Sequence, residues 1–142
     1  WVLAQGYAAV PVRIQADGSK KPQVREWTTK KVDPTYIKRL ARKNDPDLLF
    51  AVATGDLSGG LIALDFDGVA GMATLRGLGL QPTLTTPGGG AHVWVSAPGL
   101  GARTRGYVPA FPAMEVKANG GKVTFHGENK TKGGRRYEFT EW

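Results

Sequence analysis

Cysteine is absent from this 142-residue sequence, which excludes disulfide staples, thiolate catalysis and cysteine-ligated zinc. An intracellular setting is therefore expected. Also missing are a run of about 18 apolar residues, so no membrane span is expected, and an opening signal-peptide pattern. Neither an internal repeat nor a heptad is present. What remains is enough chain for one domain that buries its own core. The first residue, Trp1, suggests a trimmed fragment of a longer protein.

The net charge of +7 is unevenly distributed: residues 1–43 carry ten Lys/Arg against three acids, and residues 44–142 carry nine of each. A basic first third beside an acidic strand end suits a polyanion such as nucleic acid. A solvated basic face that serves solubility explains the charge equally well.

Residues 7–14 read as a strand and 16–22 as a basic turn. Asp33-Pro34 is a helix start, with Asp as cap and Pro at the first helical position. That helix should turn Tyr36, Ile37 and Leu40 inward and Lys38, Arg39, Arg42 and Lys43 outward. Residues 49–54 and 61–65 read as the strands of a hairpin, and 69–78 as a short helix. Strands are expected at 83–86 and 91–96, then a long loop over 97–112. A second hairpin should join 113–117 to 122–126 across Asn119-Gly120, with a last strand at 136–140. Many strands and few helices indicate an α+β fold.

The hairpin over 49–65 ends in Asp65-Phe66-Asp67-Gly68. Alternation on a strand points Asp65 and Asp67 the same way, with Cα atoms roughly 6 to 7 Å apart. Two such anions repel each other, and a pair of divalent cations, typically about 3.5 to 4 Å apart in two-metal sites, would relieve that and supply a phosphoryl-transfer centre. Plainer readings stand beside this one: Asp67-Gly68 as a turn, and Asp65 as a helix cap. His92 follows the glycine turn 87–90, where backbone amides and an imidazole suit phosphate oxygens; a satisfied structural histidine is the alternative. Glu115 is the only acid in an apolar strand, with Lys117 on its face as a partner that would neutralise it. His126 reads as an exposed strand-end histidine. Trp27 and Trp94 offer stacking surfaces, Trp94 equally a core position.

A strand-borne Asp-x-Asp, a later His after glycines, and then a strand-borne acid is the motif order of the archaeo-eukaryotic primase superfamily. The sequence resembles in particular the bifunctional primase-polymerase (prim-pol) domains of phage and plasmid replication proteins. Gly6-Tyr7-Ala8-Ala9-Val10-Pro11, then Lys20-Lys21-Pro22 and Trp27, is similar to that family's opening. Thr54-Gly55 with Ser58-Gly59-Gly60-Leu61 is similar to the turn before its first acidic motif. The sequence departs from the pattern after the third motif, where 120–129 lacks the usual proline and serine.

The resemblance implies one catalytic domain over 1–142 within a longer replication protein, with an RRM-like core sheet flanked by helices and a small N-terminal subdomain packed against it. It implies Asp65, Asp67 and Glu115 as catalytic ligands of Mg²⁺ or Mn²⁺, with His92, Gly89, Gly90, Ser58 and Lys117 on the nucleotide. Lys20, Lys21, Arg25, Arg135 and Arg136 would meet DNA. The expected partners are a single-stranded DNA template with its primer, nucleoside triphosphates, and a downstream helicase domain or partner, in a bacterial or phage-infected cytoplasm and with no membrane. The activity implied is template-directed nucleotidyl transfer that makes or extends primers. A metal-dependent nuclease and an inactive single-stranded nucleic-acid-binding module are the rival readings, with an Asp-x-Asp sugar transferase behind them.

Overall fold

The computed structural model describes residues 1–140. Its strands are β1 (Ala8–Ile14), β2 (Lys20–Pro22), β3 (Leu48–Ala53), β4 (Leu61–Phe66), β5 (Leu84–Thr85), β6 (Ala91–Ser96), β7 (Arg105–Val108), β8 (Phe111–Lys117), β9 (Lys122–His126), β10 (Glu128–Asn129), β11 (Arg135–Arg136) and β12 (Glu138–Phe139). Helix α1 (Pro34–Arg42) precedes β3, and α2 (Gly68–Gly77) follows β4. The class is α+β, as the sequence predicts. No described helix is long and apolar enough to cross a membrane.

Asp33 caps α1 by accepting from the Thr35 amide, with Pro34 opening the helix. Ile37 is the buried anchor of this helix and packs with Ala9 and Phe50. At α2 the cap position is Asp67, not Asp65, and its side chain makes no capping bond. Leu75 of α2 packs on Phe66, Ala91, Val93 and Met114.

The strands form two antiparallel sheets and a small β10-β11 ribbon. One sheet has the order β2-β1-β3-β9 and the other β12-β5-β6-β4-β8-β7. Side chains of both sheets merge in the core: Val10, Val12, Leu49 and Ala51 of the first meet Leu84 of the second and Tyr137. Val52 and Val123 likewise meet Leu61 and Ala63.

Both expected long hairpins are corrected by this topology. β3 and β4 lie in different sheets, and the one backbone bridge across their connection is the isolated Gly55–Leu61 pair. β8 and β9 also part, β8 pairing with β4 and β9 with β3. The turn residues reverse the chain as expected, but each reversal carries it from one sheet to the other. Both crossings meet at one corner, where the Thr54 hydroxyl donates to the Ala118 carbonyl at 2.6 Å and the Thr54 amide to the Gly121 carbonyl at 3.0 Å. The Asn119 side chain accepts from the Asp56 amide and donates to the Asp56 carboxylate. A Cβ on Gly55 would lie 2.0 Å from Asn119 Oδ1, so only glycine admits this approach.

Three smaller differences follow from pairing that local sequence does not encode. The basic turn contains β2, where Lys20, Lys21 and Pro22 pair with β1. The long loop holds β7, an edge strand against β8, and β8 itself starts at Phe111. The last expected strand is broken at Tyr137 into β11 and β12, which join different sheets.

Candidate active site

β4 is central in the six-stranded sheet, so its residues face partners on both sides. Asp65 stands opposite His92 of β6 and opposite Glu115 of β8. Cross-strand neighbours on one face sit within reach of each other, which places three residues distant in sequence in one row. Asp67 ends the strand beside them.

Each carboxylate is turned to a partner. Asp65 Oδ1 lies 3.3 Å from His92 Nε2, with the Asp65 side chain 20% exposed. Asp67 accepts a hydrogen bond of 3.0 Å from the Tyr107 hydroxyl. Glu115 is ion-paired with Lys117, the neighbour on its own face. Among the described residues, no three acid or histidine side chains are already arranged as a metal-holding group.

The electrostatics of the two aspartates diverge. Burial pushes the Asp65 carboxyl up, but the hydrogen bond and charge from His92, with the charges of Lys117 and Lys20, outweigh it and hold the group below the ordinary Asp value. For Asp67, partial desolvation and the Asp65 charge push the carboxyl up, as does Glu115. Tyr107 and Lys117 pull the other way, and the net is a raised value. The charges of Asp65 and Glu115 thus both bear on Asp67, and hard carboxylate oxygens in such company suit a divalent cation of the Mg²⁺ type. The donor chemistry fits the metal that the sequence implies.

The other nominated residues divide. His92 is only 3% exposed, and its Nδ1 is buried without a partner. Its imidazole faces Asp65 across the β4–β6 pair. The Gly89 amide donates to the Thr86 carbonyl and the Gly90 amide to the Thr86 hydroxyl, so both donors are spent inside the turn. A Cβ on Gly90 would sit 2.2 Å from the Phe66 carbonyl oxygen: glycine is required here for close approach to the end of β4. Ser58 is buried, accepting from the Ala8 amide and donating to the Ala53 carbonyl. That hydroxyl is committed to the backbone.

Among the basic candidates, Lys20 lies near enough to Asp65 to lower its titration, with its ammonium 5.8 Å from the Tyr137 ring centre. Lys21 and Arg25 are exposed, Arg25 beside Trp27, Lys30 and Lys31 in one shallow depression. Arg136 pairs with Glu128 and lines a different cavity, with His126 and the α1 residues Leu40 and Ala41. Arg135 is exposed on the same short strand. His126 is exposed at its strand end, as the sequence suggests. Trp94 is half-buried among Trp1, Tyr7, Phe125 and Phe139, a core role rather than a stacking platform.

Two residues escaped the sequence reading. Tyr107 lies in the stretch that the sequence predicts as loop and has no local signal beyond its type. Lys122 opens β9, where two of the other four residues, Thr124 and His126, are also polar, so it carries no strong local signal. Its ammonium lies 5.5 Å from the Trp27 ring centre. Burial, then the like charges of Lys20 and Lys117, hold it below the ordinary Lys value.

Carboxylates bordered by lysines, on a rigid sheet, form a centre suited to a phosphate-bearing ligand. The chain belongs to the family of bifunctional DNA primase/polymerase N-terminal domains (Prim-Pol), whose model matches residues 1–142. Membership implies an enzyme of nucleotidyltransferase type that handles DNA and nucleotides, in a family generally dependent on divalent metal. No curated protein matches the chain.

Proposed function

We propose that the chain is a catalytic domain that makes or extends primers by template-directed nucleotidyl transfer. Its substrates are a single-stranded DNA template with its primer and nucleoside triphosphates. The observation that carries this reading is the row His92–Asp65–Glu115 across β6, β4 and β8, with Asp67 at its end, in a chain of this family.

Asp65, Asp67 and Glu115 would hold Mg²⁺ or Mn²⁺. Bound there, such a metal would supply Lewis acidity, lowering the pKa of the primer-end hydroxyl and offsetting charge on the pyrophosphate leaving group. His92 orients the Asp65 carboxylate and keeps it ionised. Tyr107, from the edge strand β7, fixes the Asp67 carboxylate at the end of β4. Lys117 releases Glu115 to its ligand role by exchanging the carboxylate for a phosphate oxygen of the nucleotide. Lys20, Lys21 and Arg25 lie on or beside the β2 edge and meet the sugar-phosphate backbone without reading bases. Arg135 and Arg136, grouped with His126 and α1, are assigned a peripheral contact to DNA at most.

The strand order β5-β6-β4-β8, with α2 between β4 and β5, supports an RRM-like core. In place of a second crossover helix, β7 fills the connection from β6 to β8. The sheet β2-β1-β3-β9 with α1 corresponds to the subdomain expected beside it. By family resemblance the setting is the bacterial or phage-infected cytoplasm, with a helicase as domain or partner.

Extension of a labelled primer-template with Mg²⁺ or Mn²⁺ and triphosphates, beside an Asp65→Ala/Asp67→Ala control, tests the reading. Triphosphate-dependent lengthening that disappears in the control is the expected result. Shortening of the strand without triphosphates would make the chain a nuclease, and binding with neither reaction a nucleic-acid-binding module.

A further inference from the structure

Residues 20–43 carry nine Lys/Arg against two acids, a surplus equal to the net charge of the whole chain. Among the described residues none of the nine is ion-paired, whereas the acids nearest the end of α1 are taken, Asp45 by Arg13 and Glu128 by Arg136. Lys38, Arg39, Arg42 and Lys43 are exposed on or just after α1. The helix dipole accounts for cations in the last turn, and Arg39 lies over the Tyr36 ring at 5.4 Å. Lys38 has neither explanation.

Lys38 lines a mostly apolar groove of about 460 Å³ beside α1. Pro34, Ile37, Lys38 and Ala41 line it from the helix, at helical spacing. Val2 and Leu3 line it from the N-terminal turn, and Phe50 and Phe125 from β3 and β9. Lys31 ties that turn in place by donating to the Gly6 carbonyl at 2.7 Å. Ala41, Phe50 and His126 also line a second cavity of about 330 Å³, which reaches past the helix C-terminus to Arg136. The groove shares no residue with the acidic row of β4, β6 and β8.

Apolar surface gathered in a groove is stabilised by a partner that takes it out of water. The aliphatic lining suits a Leu or Phe side chain and not a nucleobase, whose edge groups would lose their hydrogen bonds there. A second copy related by a two-fold axis would bring the same basic helix against its own, and like charges repel. An acidic segment with a bulky apolar anchor complements both the groove and its unpaired cations. We propose that the groove beside α1 is a docking site for a short acidic segment of another protein. The segment seats its apolar side chain between α1 and the N-terminal turn and lays its carboxylates against Lys38 and Arg42. This surface stands apart from the catalytic reading and does not depend on it.

The probe is a fluorescein-labelled peptide of about ten residues, rich in Asp and Glu with one Leu and one Phe, followed by anisotropy at low and at physiological salt. Wild type should bind it with a micromolar Kd. Replacing the peptide's Leu and Phe by Ser should weaken binding about tenfold. Lys38→Glu should weaken it about fivefold or more, the scale of an exposed charge pair reversed, and by less as salt rises. Ala41→Met sets a longer side chain where the two cavities meet and should weaken binding about fivefold or more at both salts. Both positions are exposed, so each variant should melt within a few degrees of wild type, and if one fails to fold the other decides. An unchanged Kd in either folded variant overturns the proposal, as does a wild type that leaves the peptide unbound at millimolar concentration. Equal binding of the Ser-substituted peptide would reduce the groove to a charged surface and overturn it too. A single-stranded oligonucleotide that displaces the peptide, and that Ala41→Met no longer binds, would make the face a nucleic-acid surface and equally overturn the proposal.

Discussion

Tyr107 donates its hydroxyl to Asp67 across 3.0 Å, joining the exposed edge strand β7 to the end of the central strand β4. The ring is 61% exposed, so this bond holds a side chain that burial does not. Tyr107 is therefore a positioning residue for an acid that partial burial and two neighbouring carboxylates push toward protonation.

Removing that donor should be visible in a pH profile. The Tyr107 bond lowers the Asp67 pKa against burial and the charges of Asp65 and Glu115, so Tyr107→Phe raises it further. Primer extension by the variant should begin to fall at a higher pH on the acid side, with a loss of about threefold to tenfold near neutrality, the scale of one hydrogen bond. A profile that superimposes on wild type would remove Tyr107 from the site.

His92→Ala should cost stability as well as activity. It leaves Asp65 buried without its imidazole partner, a loss of about 1–3 kcal/mol, measured by urea denaturation at pH 7. Asp65 has a folded pKa below the ordinary Asp value. Its contribution is thus complete above that value and is lost as pH falls through the lower folded pKa. Wild type should show this loss in acid titrations of stability, and the variant should show less of it.

Ser58→Ala and Gly90→Ala separate framework from chemistry. Loss of the Ser58 hydroxyl strands the Ala8 amide and should destabilise by about 1–3 kcal/mol, with kcat per folded molecule unchanged. Gly90→Ala drives a methyl into the Phe66 carbonyl, next in sequence to Asp67, and should lower stability by about 1–3 kcal/mol and kcat together. Calorimetry and extension assays on the same preparations check both; equal kcat in the two variants would contradict the assignment.

Lys122 offers a test on the alkaline side. Its folded pKa lies below the ordinary Lys value of the unfolded chain. Between those two values the unfolded chain holds the proton that the folded chain has released, so stability rises with pH there. Lys122→Met should flatten that alkaline rise, as read from urea midpoints on either side of the window. An identical slope in both proteins would mean Lys122 carries no such strain.

Local chemistry made much of this molecule legible. Asp33-Pro34 marked α1 because a cap and a fixed φ act within three residues. The acids and His92 stood out because polar groups in apolar strands need a partner. Pairing was less legible: Asn119-Gly120 reverses the chain, but a reversal does not specify whether β9 returns to β8 or continues into the other sheet. β7 stayed hidden because an edge strand with exposed side chains lacks apolar alternation. Tyr107 and Lys122 become meaningful only once β7 lies beside β8 and β9 beside β3, contacts set by the whole sheet and not by neighbours in sequence.

The corner where Thr54, Asn119 and Gly121 lock the two crossings together has a consequence for how the site is held. The acids hang from one sheet, and Lys20 and Lys122 from the other, so the corner acts as the fixed jaw of a caliper. Loosening that corner would therefore let the carboxylates and the ammoniums of the facing sheet drift apart without breaking a single strand pairing inside either sheet.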